Sequence, residues 1–378
     1  MTNAVDKKKS VDKEKSLQTN SSKNIDSEVK RIIRRLNKLL KIPSVISHEQ
    51  VLMDYLEKQL NIIKTHRIER TKHLLVAKPK QVAGKKNQSI VSIHIDRQGF
   101  ITYKKNILEY AAFSMQKKYL QPITTEEHVF KKVASRHIGE SVIAFEETSG
   151  KLLEEQKIIG SEYNFKNKTV LFKLENESKQ KKGTPWFLKP KLNKVNDYLA
   201  GQIDNAISVA VIIELIKNGF KGTIIFTTEE EIGNSWKHLH NFLKEENIFT
   251  KNLIVLDTTP YKYIYSIDKG VVVLRNKDES GIFNKNLTKK IIHICEENEI
   301  PYELKDEQIK QFNKKLRQKG LPAKKYGRTE LGRIVEHTKG KINGTTVQIP
   351  SVNYHTNHEL TSQKALKNFY FLLKKLLL

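Results

Sequence analysis

The stretch TIIFTTEEEIG, residues 223–233, joins an apolar run to three consecutive glutamates. The run Thr223–Phe226 is short, β-branched and flanked by glycines, which predicts a buried strand. Glu229, Glu230 and Glu231 therefore leave the end of a core strand together. Adjacent carboxylates repel unless a cation or a shared proton compensates them. Such a run is ordinarily a solvated loop, and the alternative is an acid/base and metal site.

The segments around this stretch alternate between helical and strand patterns. The predicted helices cover Asp26–Leu40, Val51–Leu60, Ala206–Asn218, Trp236–Lys244 and Gln363–Leu378, and the predicted strands cover Ser89–Ile93, Gly222–Thr227 and Asn252–Leu256. Strands that alternate with helices predict an α/β fold with a mostly parallel, doubly wound sheet and helices on both faces. The basic stretch Lys64–Lys86 shows no clear pattern.

The pattern of apolar and polar residues changes between Lys104 and Val195. Short β-like runs such as Ser141–Phe145 and Thr169–Leu174 alternate there with charged turns, and no long helix is predicted. We therefore expect a β-rich inserted domain over residues 105–197, within an α/β domain formed by residues 27–104 and 198–378. Residues 1–26 are polar, lysine-rich and aperiodic, which predicts a disordered basic arm.

The composition restricts the classes of partner. The formal charge of the 378-residue chain is +26, but its lysines are spread along the sequence and interleaved with acids. No nucleic-acid-binding motif accompanies them, so we expect no specific nucleic-acid partner. No apolar run approaches about 18 residues and no secretory signal is recognisable, so we expect no membrane association. A single cysteine, Cys295, excludes an internal disulfide and favours a cytoplasmic location.

Candidate metal ligands stand near the ends of predicted strands or the starts of helices. His94 and Asp96 follow one strand and share one side of an extended chain. Asp257 follows another strand, Asp204 precedes a helix, and His355 follows an apolar run. Taken singly, each has an ordinary structural explanation as a turn residue, an N-cap or a satisfied histidine. Together with the glutamates they outweigh those explanations, because ligands of open parallel sheets bind beyond the carboxyl ends of the strands.

The residue types indicate which metal the site would take. Two histidines with several carboxylates suit zinc, cobalt or manganese better than copper or calcium, and the absence of cysteine ligands disfavours a structural zinc site. A carboxylate able to bridge two ions predicts a pair about 3.5 to 4 Å apart. We therefore expect two divalent metal ions, with zinc as the first choice and cobalt or manganese as alternatives.

The order and context of these residues resemble the co-catalytic zinc exopeptidases, and most closely the glutamyl or deblocking aminopeptidases that form tetrahedral particles. The resemblance covers about residues 39–375 and is weak only in the β-rich insertion, which the family uses for assembly. It is carried by LLKIPSVISHEQ (39–50), SIHIDRQGF (92–100), GQIDNAISVAVIIELI (201–216), FTTEEEIG (226–233), LDTTP (256–260) and IPSVNYHTNHEL (349–360). It implies that the α/β domain is a metallopeptidase catalytic domain.

The resemblance also implies the metal ligands. His94 would bind one ion, Asp204 would bridge both, and Asp257 would complete the first site. Glu231 and His355 would complete the second.

Two further residues would act in proton transfer and orientation. Glu230 would be the general base, because it has to remain free to take a proton, whereas coordination fixes Glu231. Asp96 would orient the imidazole of His94. Glu229 stands where the relatives carry a polar residue and would be a bystander.

Three positions depart from the family pattern. Asn205 replaces its second Asp, Arg97 replaces the usual Glu and would bring a cation close to the site, and Arg328-Thr329-Glu330 replaces Gly-Thr-Asp. The last two departures bear on substrate preference.

The leading hypothesis is a metal-dependent aminopeptidase that hydrolyses N-terminal residues of peptides with a water activated by two metal ions. A non-peptide amide hydrolase, such as a deacylase, would use the same site. A third hypothesis is a catalytically inactive basic binding protein. The family resemblance also implies a homo-oligomer.

Overall fold

The computed structural model describes residues 24–80, 89–123 and 125–378. The arm predicted over residues 1–26 lies outside the described residues except for its last three, which belong to the first helix. In the described residues, the helices are α1 (24–40), α2 (Gln50–Ile63), α3 (Ala111–Lys118), α4 (Glu127–Arg136), α5 (Ala206–Lys217), α6 (Ser235–Glu245), α7 (Tyr265–Lys269), α8 (Lys285–Glu297), α9 (Lys305–Gln318), α10 (Glu330–His337) and α11 (Gln363–Leu377).

The strands form one large sheet, one barrel and one small sheet. They are β1 (His66–Arg70), β2 (Leu74–Pro79), β3 (Ile90–His94), β4 (Gly99–Lys104), β5 (Ile107–Tyr110), β6 (Ser141–Phe145), β7 (Leu152–Asn164), β8 (Thr169–Leu174), β9 (Pro185–Leu188), β10 (Asn193–Val195), β11 (Tyr198–Gly201), β12 (Thr223–Thr227), β13 (Leu253–Pro260), β14 (Val272–Leu274), β15 (Tyr302–Leu304), β16 (Gly344–Ser351) and β17 (Glu359–Ser362).

The large sheet has eight strands in the order β1-β2-β12-β3-β13-β16-β14-β15. Its centre is parallel, because β12, β3, β13 and β16 all run in one direction. Antiparallel pairing occurs towards the edges, where β2 pairs with β12 and β14 pairs with β16. The predicted α/β fold with a mostly parallel sheet is confirmed.

Successive side chains of β12 are buried on opposite faces of the large sheet, because side chains alternate in direction along a strand. Ile224 and Phe226 belong to the core cluster that also contains α1, α2, α5 and α11. Ile225 belongs to the cluster that contains α6 and α10. Helices therefore cover both faces. Every residue of α5 from Ala206 to Ile216 is buried, which explains why this helix is apolar on all sides.

The β-rich segment folds into a closed barrel, β4-β5-β8-β7-β6-β9, with an aromatic core of its own. The barrel spans Gly99–Leu188, and α3 and α4 pack against it. These two helices were not predicted, although with 8 and 10 residues neither is long. Their amphipathic patterns are short, so the neighbouring strand patterns obscured them.

Two further strand predictions need correction. The stretch Lys64–Lys86 contains the hairpin β1–β2, and its apolar run Leu74–Ala77 is buried inside the large sheet. β13 does not end before Asp257 but continues to Pro260, because it pairs with β16 as far as Ser351. Asp257 is thus a strand residue. No helix in the described ranges is long and apolar enough to cross a membrane.

Candidate active site

The candidate residues meet because three neighbouring parallel strands end at one edge of the large sheet. His94 is the last residue of β3, and it pairs in register with Thr227, the last residue of β12. Asp257 lies in β13, on the other side of β3, directly after Leu256, the last residue of β13 that pairs with β3. A 3-10 turn, Glu230–Ile232, follows β12 and places its glutamates over this edge. Asp204 and His355 reach the same place from loops.

The first group of ligand-type side chains consists of His94, Asp204 and Asp257. Nε2 of His94 lies 3.3 Å from Oδ1 of Asp204 and 3.3 Å from Oδ1 of Asp257. All three side chains are largely buried. One imidazole nitrogen thus faces two carboxylate oxygens, which is the donor set of a zinc-type site.

The second group consists of Asp204, Glu231 and His355. Nε2 of His355 lies 3.0 Å from Oε2 of Glu231 and 3.8 Å from Oδ2 of Asp204. The two groups therefore share Asp204, each through a different carboxylate oxygen. The structure brings together all five residues that the sequence predicted as ligands.

Buried polar atoms without hydrogen-bond partners show that the two ligand groups fit cations. Both carboxylate oxygens of Asp204 and Nε2 of His355 are buried without a hydrogen-bond partner. Burial and the nearby Asp204 raise the pKa of Glu231. Burial raises the pKa of Asp257, and Asp204 raises it further. In the described part of the chain, no lysine or arginine lies within 4.0 Å of these carboxylates, so bound dications would supply the missing positive charge.

Asp96 connects the two groups. Its Oδ1 lies 3.5 Å from Nδ1 of His94. Its two oxygens also accept 3.0 Å hydrogen bonds from the backbone N–H groups of Glu230 and Glu231. Asp96 thus fixes both an imidazole and the turn that carries the glutamates.

Glu359 was not among the predicted site residues, although it belongs to the stretch IPSVNYHTNHEL, in the HxxxE pattern that begins at His355. Its Oε2 accepts a 2.8 Å hydrogen bond from the backbone N–H of Asp204, and its Oε1 accepts a 2.7 Å hydrogen bond from that of His355. Gln98, which was also missed, donates from Nε2 to Oε2 of Glu231 at 2.5 Å. Both residues hold ligands in place without belonging to either group.

Glu230 differs from Glu229 and Glu231 in the surroundings of its carboxylate. In the described part of the chain, no residue donates a hydrogen bond to its carboxylate, and Glu230 belongs to neither ligand group. Burial raises its pKa well above the ordinary value, and Asp257 and Glu231 raise it further. A free carboxyl group beside the ligands, with a raised proton affinity, can accept and return a proton.

The departures from the family pattern have structural explanations. The guanidinium of Arg97 donates to the carbonyls of Leu40, at 3.3 Å, and Ile42, just past the end of α1, and not to the candidate ligands. Burial lowers the pKa of Arg97 to about 10, and the charge of Glu359 opposes this shift, so the cation acts on a residue that holds two ligands. Arg97 binds the carbonyls at this helix end.

The two remaining departures are also placed by hydrogen bonds. The Glu330 carboxylate is buried and accepts hydrogen bonds from Ser92 Oγ at 2.5 Å and Thr227 Oγ1 at 3.0 Å. Asn205 donates from Nδ2 to the carbonyl of Leu256 at 2.8 Å. Glu330 and Asn205 therefore make hydrogen bonds to the strands β3, β12 and β13, which carry or precede the ligand residues.

A cavity of 390 Å³ opens over the two groups and has one basic wall. Glu230, Glu231 and Asp257 line one part, and Arg275 and Lys305 line another. Arg275 and Lys305 are each only 6% exposed. No carboxylate in the described ranges lies within 4.0 Å of either cation.

These two cations are held by uncharged groups. Lys305 donates to the carbonyl of Pro260 at 2.8 Å, and Arg275 donates to that of Tyr326 at 2.9 Å. Burial and the charge of Arg275 lower the pKa of Lys305 to about 7.

Comparisons with known proteins identify the family and the fold. The sequence profile of the family described as M42 glutamyl aminopeptidase matches residues 172–372, more than half of the chain. That range contains all the predicted site residues except His94 and Asp96. A comparison with curated protein sequences found no significant match.

Several solved structures share the fold. An aminopeptidase from the archaeon Desulfurococcus kamchatkensis is 15% identical with a TM-score of 0.67, and the match covers 92% of this chain and 95% of that one. The TET1 peptidase of Pyrococcus horikoshii, which can assemble into a tetrahedron or a large octahedral shell, is 16% identical with a TM-score of 0.64, covering 92% and 99%. A TET aminopeptidase from a marine sediment thaumarchaeon is 14% identical with a TM-score of 0.67, covering 92% and 96%.

Proposed function

The chain belongs to the M42 glutamyl aminopeptidase family and is a metal-dependent aminopeptidase, and from this premise we propose that it would hold two divalent ions, with Asp204 as a ligand residue of both sites. The observation that carries the proposal is the sharing of Asp204 between two groups of ligand-type side chains. His94 and Asp257 would complete one site, and Glu231 and His355 the other. The mixed imidazole and carboxylate donors favour zinc, with cobalt or manganese as substitutes.

When bound, the ions supply Lewis-acid polarisation of the scissile carbonyl and of the attacking water. The protein supplies proton transfer through Glu230. Its free carboxylate takes a proton from the water and returns it to the leaving amine, so the group is regenerated in each cycle. Its buried setting, with a raised pKa, strengthens it as a base for this step.

Asp96 and Glu359 are positioning residues. Asp96 holds the imidazole of His94 and the turn of Glu230 and Glu231 in one arrangement. Glu359 holds the backbone of two ligand residues that come from separate loops. Partners of this kind fix ligand geometry and affinity in metal sites.

The basic wall of the cavity supports a preference for acidic N-terminal residues. Arg275 and Lys305 are buried cations with no carboxylate within 4.0 Å in the described residues, although Asp278 acts on Arg275 and Glu303 on Lys305 from farther away. A substrate carboxylate in the 390 Å³ cavity would supply a direct partner. A neutral side chain of similar size would not, so discrimination is expected.

We also propose that the protein is a homo-oligomer. The TET1 peptidase of similar fold assembles into closed shells. In this chain the long strand β7 of the barrel exposes Leu152, Leu153, Ile159 and Tyr163. Exposed apolar side chains on a long strand are typical of a surface that another subunit covers.

The experiment that tests the function combines metal counting with a substrate screen. Protein stripped of metal and reloaded with zinc should hold ions in the catalytic site and release the first residue of unblocked peptides, while N-acetylated peptides should resist. Hydrolysis of N-acyl substrates without release of free N-terminal residues would instead indicate a deacylase. Absence of both reactions in metal-loaded protein would contradict the proposal.

A further inference from the structure

A third cluster of ligand-type side chains lies outside the two catalytic groups. It consists of His73 from the turn between β1 and β2, Glu229 from the end of β12 and His238 from α6. Nε2 of His238 lies 3.1 Å from Oε2 of Glu229, and Nδ1 of His73 lies 3.9 Å from its Oε1. One ligand atom from each residue lies within 4.8 Å of the others. Three separate elements of the fold converge here.

Glu229 brings a buried negative charge to this cluster. Its side chain is 2% exposed and accepts hydrogen bonds from Ser47 Oγ at 2.9 Å, Tyr119 Oη at 2.7 Å and Asn234 Nδ2 at 3.2 Å. These donors fit a carboxylate, which offers only acceptor oxygens. Glu229 belongs to neither catalytic group, so the expectation that it is a bystander in the reaction stays a prediction.

No permanent cation compensates this charge. The chain has 68 lysines and arginines. Within the described residues, however, none of them comes within 4.0 Å of the Glu229 carboxylate. The two groups that approach it besides the neutral donors are imidazoles. Burial, and then the neighbouring His238, lower the pKa of His73, and a neutral imidazole is the form that binds a metal. Two histidines and one glutamate are a ligand set that binds zinc in proteins.

The site is accessible from solvent. The side chains of His73 and His238 are 24% and 22% exposed. Their rings stack with centroids 4.0 Å apart and an interplanar angle of 7°. One ion cannot lie in the planes of two parallel rings, so binding requires the imidazoles to rotate out of the stack. For His73 the rotation would exchange the 3.2 Å hydrogen bond between its Nδ1 and Thr228 Oγ1 for the ion.

We propose that His73, Glu229 and His238 form a third divalent-metal site, selective for zinc or another transition metal that binds imidazole. The ion would join the β1–β2 turn, the end of β12 and α6. It would thereby clamp the strand end from which Glu230 and Glu231 project. The site would stabilise the folded protein by binding free energy, without contributing a ligand to the catalytic pair.

The test counts zinc per chain in wild type and in His73→Gln/His238→Gln after equilibration with zinc and removal of free metal. The double variant is expected to hold one ion fewer than wild type, and His293→Gln, which removes an exposed histidine of α8, is expected to lose none. Each single variant should reproduce the loss. Because the result is a difference, it does not depend on how many ions the catalytic site takes. Peptide hydrolysis by the double variant reports on that site separately.

A measurement on the wild-type protein alone tests the proposal even if the variants do not fold. Zinc should protect both His73 and His238 from diethyl pyrocarbonate, as read from peptide masses, while His293 stays reactive. Equal zinc content in wild type and double variant, or undiminished modification of His73 and His238 with zinc present, would overturn the proposal.

Discussion

The backbone N–H of Glu230 donates a 3.0 Å hydrogen bond to Oδ1 of Asp96. The same oxygen lies 3.5 Å from Nδ1 of His94, and Oδ2 accepts the N–H of Glu231. One carboxylate therefore ties the imidazole of the first site to the turn that carries the base and a ligand of the second. A change at Asp96 must disturb both sites together.

Asp96→Asn tests this connection. An amide has only one oxygen, so its nitrogen would face an N–H group of the turn or the ring of His94. We expect metal affinity or kcat/KM to fall by about 10 to 100-fold, as with other losses of a partner that orients a ligand. Metal titration followed by peptide hydrolysis measures both. Asp268→Asn, which alters a carboxylate bonded to Tyr198, is the matched control. Unchanged affinity and activity in Asp96→Asn would refute the positioning role.

The basic wall predicts a pH-dependent preference. With its pKa lowered to about 7, Lys305 is charged below that pH and loses its charge above it. The ratio of kcat/KM for glutamyl over glutaminyl peptides should therefore be largest below pH 7 and fall as the pH rises through 7. Taking the ratio cancels the pH dependence that both substrates share.

Lys305→Met should lower this ratio and flatten its pH profile. Lys310→Met, which removes an exposed lysine of the same helix paired with Glu307, should leave both as in wild type. A Lys305→Met enzyme with an unchanged ratio would show that the lysine does not contact the substrate carboxylate.

Arg97 should matter for stability and not for chemistry. Arg97→Met removes the donors to the carbonyls of Leu40 and Ile42. Leaving buried acceptors unpaired costs about 1 to 3 kcal/mol each. Urea unfolding should show a loss of that order, while kcat of the folded enzyme stays near wild type. Arg67→Met, on an exposed side chain, should change stability by less than about 0.5 kcal/mol. A large fall in kcat without loss of stability would place Arg97 in the reaction.

The exposed apolar side chains of β7 predict the assembly surface. Ile159→Lys places a charge among them and should reduce the molar mass in light scattering from that of an oligomer towards that of one chain. Leu378→Lys, which alters an exposed leucine at the end of the chain, is the control. A wild-type protein that is monomeric at high concentration would contradict the oligomer proposal.

Sequence patterns were sufficient for the α/β alternation because β12, β13 and the long helices carry strong periodicity. They failed at β2, where lysines on either side masked the buried run Leu74–Ala77. Sequence patterns also could not identify residues that hold the site in place through hydrogen bonds to backbone groups. Glu359 stands in the HxxxE pattern, yet its bonds to the N–H groups of Asp204 and His355 depend on a loop conformation that spacing does not reveal.

The sequence also could not predict the direction in which a long side chain points. Arg97 lies one residue from Asp96, yet it turns to the end of α1, since the carbonyls of Leu40 and Ile42 lie there. His73 is distant in sequence from Glu229 and comes near it only through the β1–β2 turn, so the third cluster had no local signal.

The division of roles between Glu230 and Glu231 is the central claim. Glu231 belongs to a ligand group, whereas the Glu230 carboxylate is free. The decisive measurement is therefore zinc content and turnover of Glu230→Gln beside Glu231→Gln, on one preparation of each. Glu230→Gln should keep the zinc content of wild type and lose about two to four decades of turnover. Glu231→Gln should lose zinc, with partial recovery of activity in excess metal. Loss of zinc in Glu230→Gln, or turnover near that of wild type in that variant, would contradict the account.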